Sequence, residues 1–176
     1  MPRKSLLIAY MGIFTALGVI GRLAFTILPN VAPVAPFSLM SGYLGGPLSG
    51  FLVGFLTMFV SDLYIGVGPW TVFTSLFMGI VGVSGWICRK VSPDRLTLFI
   101  IAYLSVLLYD VGTSVATVIW FGVDPLISIL NLFIPIVFLG IPYPMGPVHE
   151  FSSSLMFILL VESIRRFRLS EVVGFV

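Results

Sequence analysis

The chain has 176 residues, 59% of them hydrophobic and only 9% charged. A soluble domain is about a quarter charged, so a chain with a mean hydropathy of +1.16 lacks the polar surface to face water, and the composition predicts an integral membrane protein. Its net charge of +2 lies almost wholly at the chain ends and in one loop, and its single cysteine (Cys88) and single histidine (His149) exclude an internal disulfide, a cysteine cluster and a His-rich metal site.

The first apolar run, Ser5–Leu28, follows the cations Arg3 and Lys4 and is closed by Pro29-Asn30. It has full span length and no small-residue cleavage pattern, so it reads as a retained helix rather than a signal peptide. A shorter run, Val34–Leu44, is stopped by Gly45-Gly46-Pro47. Proline suits the first turn of a helix, where its missing N–H is no loss, so a third helix is predicted from Pro47 to about Leu63. The fourth starts at Pro69-Trp70 and ends at Cys88, before Arg89-Lys90; the fifth follows Ser92-Pro93-Asp94 and runs from Arg95 to about Phe121. The last starts near Pro147 and ends in Arg165-Arg166-Phe167-Arg168.

Between the last two helices, the apolar run Leu126–Gly140 is short for a crossing and contains Asn131 and Pro135. Charge decides its place, because basic residues collect on the cytoplasmic side. With six spans, eight of the nine basic residues fall on one side: Arg3, Lys4, Arg89, Lys90, Arg95, Arg165, Arg166 and Arg168. A seventh span would put the arginine-rich tail opposite the rest. The expectation is a single all-α domain over residues 1–176, an integral membrane bundle of six transmembrane helices with both termini cytoplasmic. Gly122–Gly146 is then an outer loop of about 25 residues, long enough to suggest a function.

Ionisable groups inside a membrane are costly and usually face an interior or a cavity. Asp110 lies roughly 22 Å along the fifth helix at 1.5 Å per residue, which places it in the outer half. Tyr103, Thr113, Ser114 and Thr117 share its face by helical spacing; hydroxyls on such a face also satisfy backbone carbonyls and join helices. Arg22, near the outer end of the first helix, is the one basic residue the charge rule leaves over. It either snorkels to the interface, pairs with Asp62, Asp110 or Glu150, or meets an anionic group on a ligand. His149 and Glu150 open the last helix, where an acid also suits the helix dipole. Asn30 and Asn131 are further polar candidates in the outer loops. Tyr64, Trp70 and Trp120 fall at outer helix ends, as an interfacial aromatic belt requires, and flat rings there also suit a ring-bearing solute. On the first helix, Ala9, Gly12 and Ala16 are small and recur along one side, a pattern that lets another helix approach.

The stretches Gly21-Arg22 to Asn30-Val31, Leu44-Gly45-Gly46-Pro47-Leu48-Ser49-Gly50 and Gly66-Val67-Gly68-Pro69-Trp70-Thr71, with Tyr109-Asp110, Thr113 and His149, resemble the substrate-binding S components of energy-coupling factor vitamin transporters. The G-x-G-P-W-T loop is most similar to that of the cobalamin-type members. The resemblance implies a six-helix bundle in a prokaryotic cell membrane that captures a vitamin at its outer face and works with a membrane T subunit and two cytoplasmic ATPases. It implies binding rather than catalysis, with no cofactor and no nucleic-acid partner. Cobalamin or a precursor is the first expectation for the substrate, and riboflavin or a queuosine precursor the alternative. Lid duty would fall to Phe25–Pro36, Asp62–Pro69 and Gly122–Gly146, with Trp70 stacking on the solute. The T-subunit contact, an Ala-x-x-x-Ala surface in the family, would fall on Gly12-x-x-x-Ala16 beside Ala9. An intramembrane enzyme using Asp110, His149 and Glu150 is the competing reading, against which stands the lack of any nucleophile or metal motif.

Overall fold

The computed structural model describes residues 4–28, 30–91, 94–122, 124–138 and 141–166. Arg3 and Arg168, two of the cations in the charge argument, lie outside them. The elements in order are α1 (Lys4–Ala24), α2 (Val34–Gly45), α3 (Pro47–Ile65), α4 (Pro69–Val91), α5 (Arg95–Trp120), α6 (Pro125–Phe133), β1 (Ile136–Phe138), β2 (Ile141–Tyr143) and α7 (Met145–Arg166). Four described helices, α1, α3, α4 and α5, are long and apolar enough to cross a membrane. α2 has only 12 residues, about 18 Å of helix, and α7 carries His149, Glu150 and Ser152–Ser154 in its first half.

Local chemistry sets the helix starts. Pro47 is at the first turn of α3, and Gly46 joins α2 to α3 at φ 91°, a conformation that favours glycine. Asp94 caps α5 by accepting a hydrogen bond from the Thr97 N–H at 2.8 Å. Asp124 caps α6 by accepting from the Leu126 N–H at 2.8 Å, with Pro125 in the first turn. Pro135, which has no N–H to continue the ladder, ends α6 after nine residues. The outer segment therefore holds a short helix followed by an antiparallel hairpin in which Val137 faces Pro142; the hairpin is not anticipated from the sequence. α1 stops at Ala24, four residues short of the expected Leu28, because residues 25–28 close into turns through Phe25 N–H to Gly21 O and Leu28 N–H to Phe25 O. α7 begins two residues before Pro147, with that proline inside its first turn.

The core sits around α2, whose Val34, Ala35, Leu39 and Met40 are buried against α3, α4 and α7. Glycines let three helices approach backbone to backbone. A Cβ on Gly42 of α2 would meet the Gly82 carbonyl of α4, one on Gly82 would meet the Gly50 carbonyl of α3, and one on Gly85 would meet the Leu39 carbonyl. α2, α3 and α4 thus form one tightly seated block, with α1 and the α5–α7 pair against it.

Candidate functional site

A cavity of about 230 Å³ opens at one end of this bundle. Its wall is built from the last turns of α1, the α1–α2 connection, the start of α2, and the facing parts of α3, α4, α5 and α7. Arg89, Lys90, Arg95, Arg165 and Arg166 belong to the opposite ends of α4, α5 and α7. The cavity therefore lies at the end away from these five basic residues.

Two charged pairs stand at it. Arg22 of α1 donates through Nη1 to Asp62 Oδ1 of α3 at 2.6 Å, to the Ser61 hydroxyl, and to the Met58 carbonyl at 3.4 Å. Its side chain keeps 22% exposure and lines the cavity, whereas Asp62 behind it is 1% exposed. Such a carboxylate in an apolar bundle is affordable only with a paired charge. In the same lining, His149 Nδ1 of α7 lies 2.9 Å from both carboxylate oxygens of Asp110 on α5, both residues buried. Tyr109 packs edge-on to the His149 ring, with centroids 5.8 Å apart, and joins Met58 and Met78 in the apolar part of the wall.

Asn30 adopts a left-handed φ of 54°, which asparagine tolerates better than most residues. Its amide donates to the Met145 carbonyl at 3.2 Å, tying the α1–α2 connection to the start of α7 over the cavity. Of the residues singled out from the sequence, Arg22, Asn30, Asp110 and His149 thus meet in one lining, with Asp62 directly behind.

The remaining candidates are placed elsewhere. Thr113 is buried, and its hydroxyl donates back to the Tyr109 and Asp110 carbonyls of its own helix. Glu150 is fully buried one residue beyond His149, outside the cavity lining; it lies near Tyr103 of α5, and neither of its oxygens makes a hydrogen bond of good geometry. Tyr64 is 73% exposed and borders a different groove, while Trp120 and Asn131 face outward. Trp70 covers Gly68, where a Cβ would overlap its ring. The glycines of the Gly66–Trp70 loop thus have a local cause: Gly66 at φ 138° and Gly68 under the indole. Tyr109, Met58 and Met78 are lining residues that polarity and spacing did not single out as contacts; only the Tyr109-Asp110 adjacency pointed to one of them.

A second, apolar groove of about 540 Å³ runs between α1 and α3, lined by Gly12, Ala16 and Leu56 among others. Ala9, Gly12 and Ala16 are all exposed, and nothing lies within 4 Å of the Gly12 Cβ position. Gly18 and Gly21 of the same helix instead pack on Thr57 and Pro33.

One protein-family model, described as ECF-type riboflavin transporter, S component, matches residues 4–161. The chain belongs to this family. As an S component it is a substrate-specific subunit of an ECF transporter, in a family of transporter subunits rather than enzymes, with a small-molecule substrate and with T-subunit and ATPase partners. Its apolar helices agree with a multi-pass membrane protein. No curated protein and no solved structure matches the chain.

Proposed function

We propose that this S component captures a compact, flat heterocyclic vitamin, riboflavin in the first instance, in the Arg22–His149 cavity and passes it inward with a T subunit and two ATPases. One observation carries the reading: Arg22, Asn30, Asp110 and His149 share a single cavity at the end of the bundle away from Arg89, Lys90, Arg95, Arg165 and Arg166. By the charge rule that end faces outward, with six crossing helices and both termini in the cytoplasm of a prokaryotic cell. Crossing by α2 and α7 is favoured by their position, since α2 is enclosed by the block and the polar residues of α7 turn inward. The whole chain acts as one domain around this cavity.

Size argues for riboflavin over cobalamin. Small-molecule pockets run from about 300 to 1,000 Å³, and a cavity of about 230 Å³ is nearer the size of a three-ring solute than of a corrin. The family match favours the same choice. The exposed Ala9, Gly12 and Ala16 face is the proposed T-subunit contact.

The test is fluorescence titration of the purified protein in detergent with riboflavin and, separately, cobalamin. Riboflavin is expected to bind and to weaken at least tenfold in Arg22→Ala; vesicles holding the S component with its T subunit and ATPases should take it up only with ATP. A protein that ignores riboflavin, or retains a corrin instead, would overturn the proposal.

A further inference from the structure

The two charged pairs share a design. At each, a carboxylate pairs with a nitrogen-bearing side chain and fixes it: Asp62 from behind Arg22, Asp110 from beside His149 in the same lining. In each case part of the nitrogen inventory is left over. Arg22 spends only Nη1 on the protein, and its Nε and Nη2 have no hydrogen-bond partner among the described residues. His149 spends only Nδ1, and its Nε2 is likewise without a partner among them. Neither Arg22 nor His149 contributes an atom to the sealed, unpartnered polar set, and both line the cavity.

The chemistry of the pair at His149 fixes its tautomer. A carboxylate only accepts, so Nδ1 carries a proton and donates it to Asp110, and when the ring holds that one proton Nε2 presents a lone pair. Arg22 only donates. The cavity lining therefore offers a donor at Arg22 and, through Nε2 of the singly protonated ring, an acceptor at His149. Two carboxylates stand against one guanidinium and one imidazole, so the site has no surplus positive charge to attract an anion.

We infer that Arg22 and His149 together read a neutral N–H/C=O edge of the solute, as in a cyclic amide or imide: Arg22 donates to the carbonyl oxygen and His149 Nε2 accepts from the ring N–H. Asp62 and Asp110 are positioning residues that hold the two readers in place. This inference rests on the proposed function and specifies which part of the solute the site recognises. In riboflavin that edge is the pyrimidinedione ring, whose N3–H lies between two carbonyls. Tyr109, Met58 and Met78 then supply the apolar surface for the flat remainder.

The experiment titrates the full-length protein in detergent with riboflavin and with its N3-methyl derivative, which keeps both carbonyls but has no N–H to give. Leaving a buried acceptor unpaired and crowding it with a methyl group costs about tenfold or more, so the methylated probe is expected to bind wild-type protein at least tenfold more weakly. In His149→Ala, riboflavin should weaken and the gap between the two probes should shrink to less than threefold. If riboflavin binds wild-type protein and the N3-methyl probe binds within threefold of it, the edge-reading assignment is overturned while the proposed function stands. A gap that persists unchanged in His149→Ala overturns His149 as the reader. Failure of wild-type protein to bind riboflavin overturns both. The probe comparison on wild-type protein decides the matter even where the His149 variant does not fold.

Discussion

Replacing Asp62 by asparagine removes one charge and almost no volume, and it tests whether the Arg22 pair is structural as well as functional. Asp62 is 1% exposed and its Oδ1 lies 2.6 Å from Arg22 Nη1. Breaking a fully buried pair costs about 3–5 kcal/mol, but Arg22 retains 22% exposure on the cavity side, where water can partly solvate the orphaned guanidinium. A charge-assisted hydrogen bond is worth about 1.5–3 kcal/mol, and about 2 kcal/mol is the expected loss after an amide oxygen replaces the carboxylate. For a chain of this length about 2–4 °C of melting temperature goes with each kcal/mol, so Asp62→Asn should melt about 4–8 °C below wild type in the same detergent, followed by intrinsic tryptophan fluorescence. The double variant Arg22→Met/Asp62→Asn should recover part of that loss, because it leaves no unpaired charge behind. Melting of Asp62→Asn within 1 °C of wild type, or simple addition of the two single effects, would refute the claim that the two side chains are coupled.

Glycine packing and helix capping give two further expectations. Gly82→Ala puts a methyl group into the Gly50 carbonyl, an overpacking of backbone against backbone that should cost about 1–3 kcal/mol and broaden the size-exclusion peak; Gly12→Ala, with open space above it, should melt no lower than wild type. Hydrogen bonds from Thr97, side chain first and then backbone, hold the Asp94 carboxyl below its ordinary range. A depressed carboxyl stabilises the fold above its unfolded pKa, about 4, and the gain is lost as pH falls through the lower folded value. Asp94→Ala should therefore melt below wild type at pH 7, with the gap closing in acid; a gap constant from pH 7 to pH 3 would refute the capping role.

What could be read without coordinates was what short-range chemistry decides. Pro47, Pro69 and the Asp94-Arg95 junction start helices where proline geometry and capping dictate. The hairpin Ile136–Tyr143 escaped because its strands have three residues each, too few for an alternating pattern to stand out. Long-range pairing escaped for a different reason. Arg22 had three acids as possible partners, and its choice of Asp62, 40 positions away, depends on how α1 crosses α3. The Asp110–His149 contact spans 39 positions and needed the α5–α7 packing. Trp70 was open between an interfacial belt and a ligand platform, and its seat on Gly68 is a local contact no spacing rule reveals. Cobalamin rested on the likeness of that one loop, whereas the family model spans residues 4–161 and is described as a riboflavin transporter S component.

The rigidity of the wall explains how such a small cavity can hold two charged pairs without collapsing. α2, α3 and α4 are seated carbonyl over glycine, so they have no room to slide without separating. Asp62 and Met58 belong to that block, and Arg22 is bonded to both residues. α1 is thereby fixed at its cavity end while its Gly12 side remains open. Asp110 and His149 come from α5 and α7, and Asn30 ties the α1–α2 connection to the first residue of α7. Arg22, Asn30, Asp110 and His149 are thus each held by a partner on another element, which removes part of the ordering cost a solute would otherwise meet. Preorganisation of this kind makes capture tight but makes release hard. A ligand shifts an equilibrium only by its differential affinity for two states, so emptying the site requires a second arrangement of α1 or of α5 and α7 against the block. In the proposed function, that rearrangement is the step in which the T-subunit and ATPase partners of an S component act.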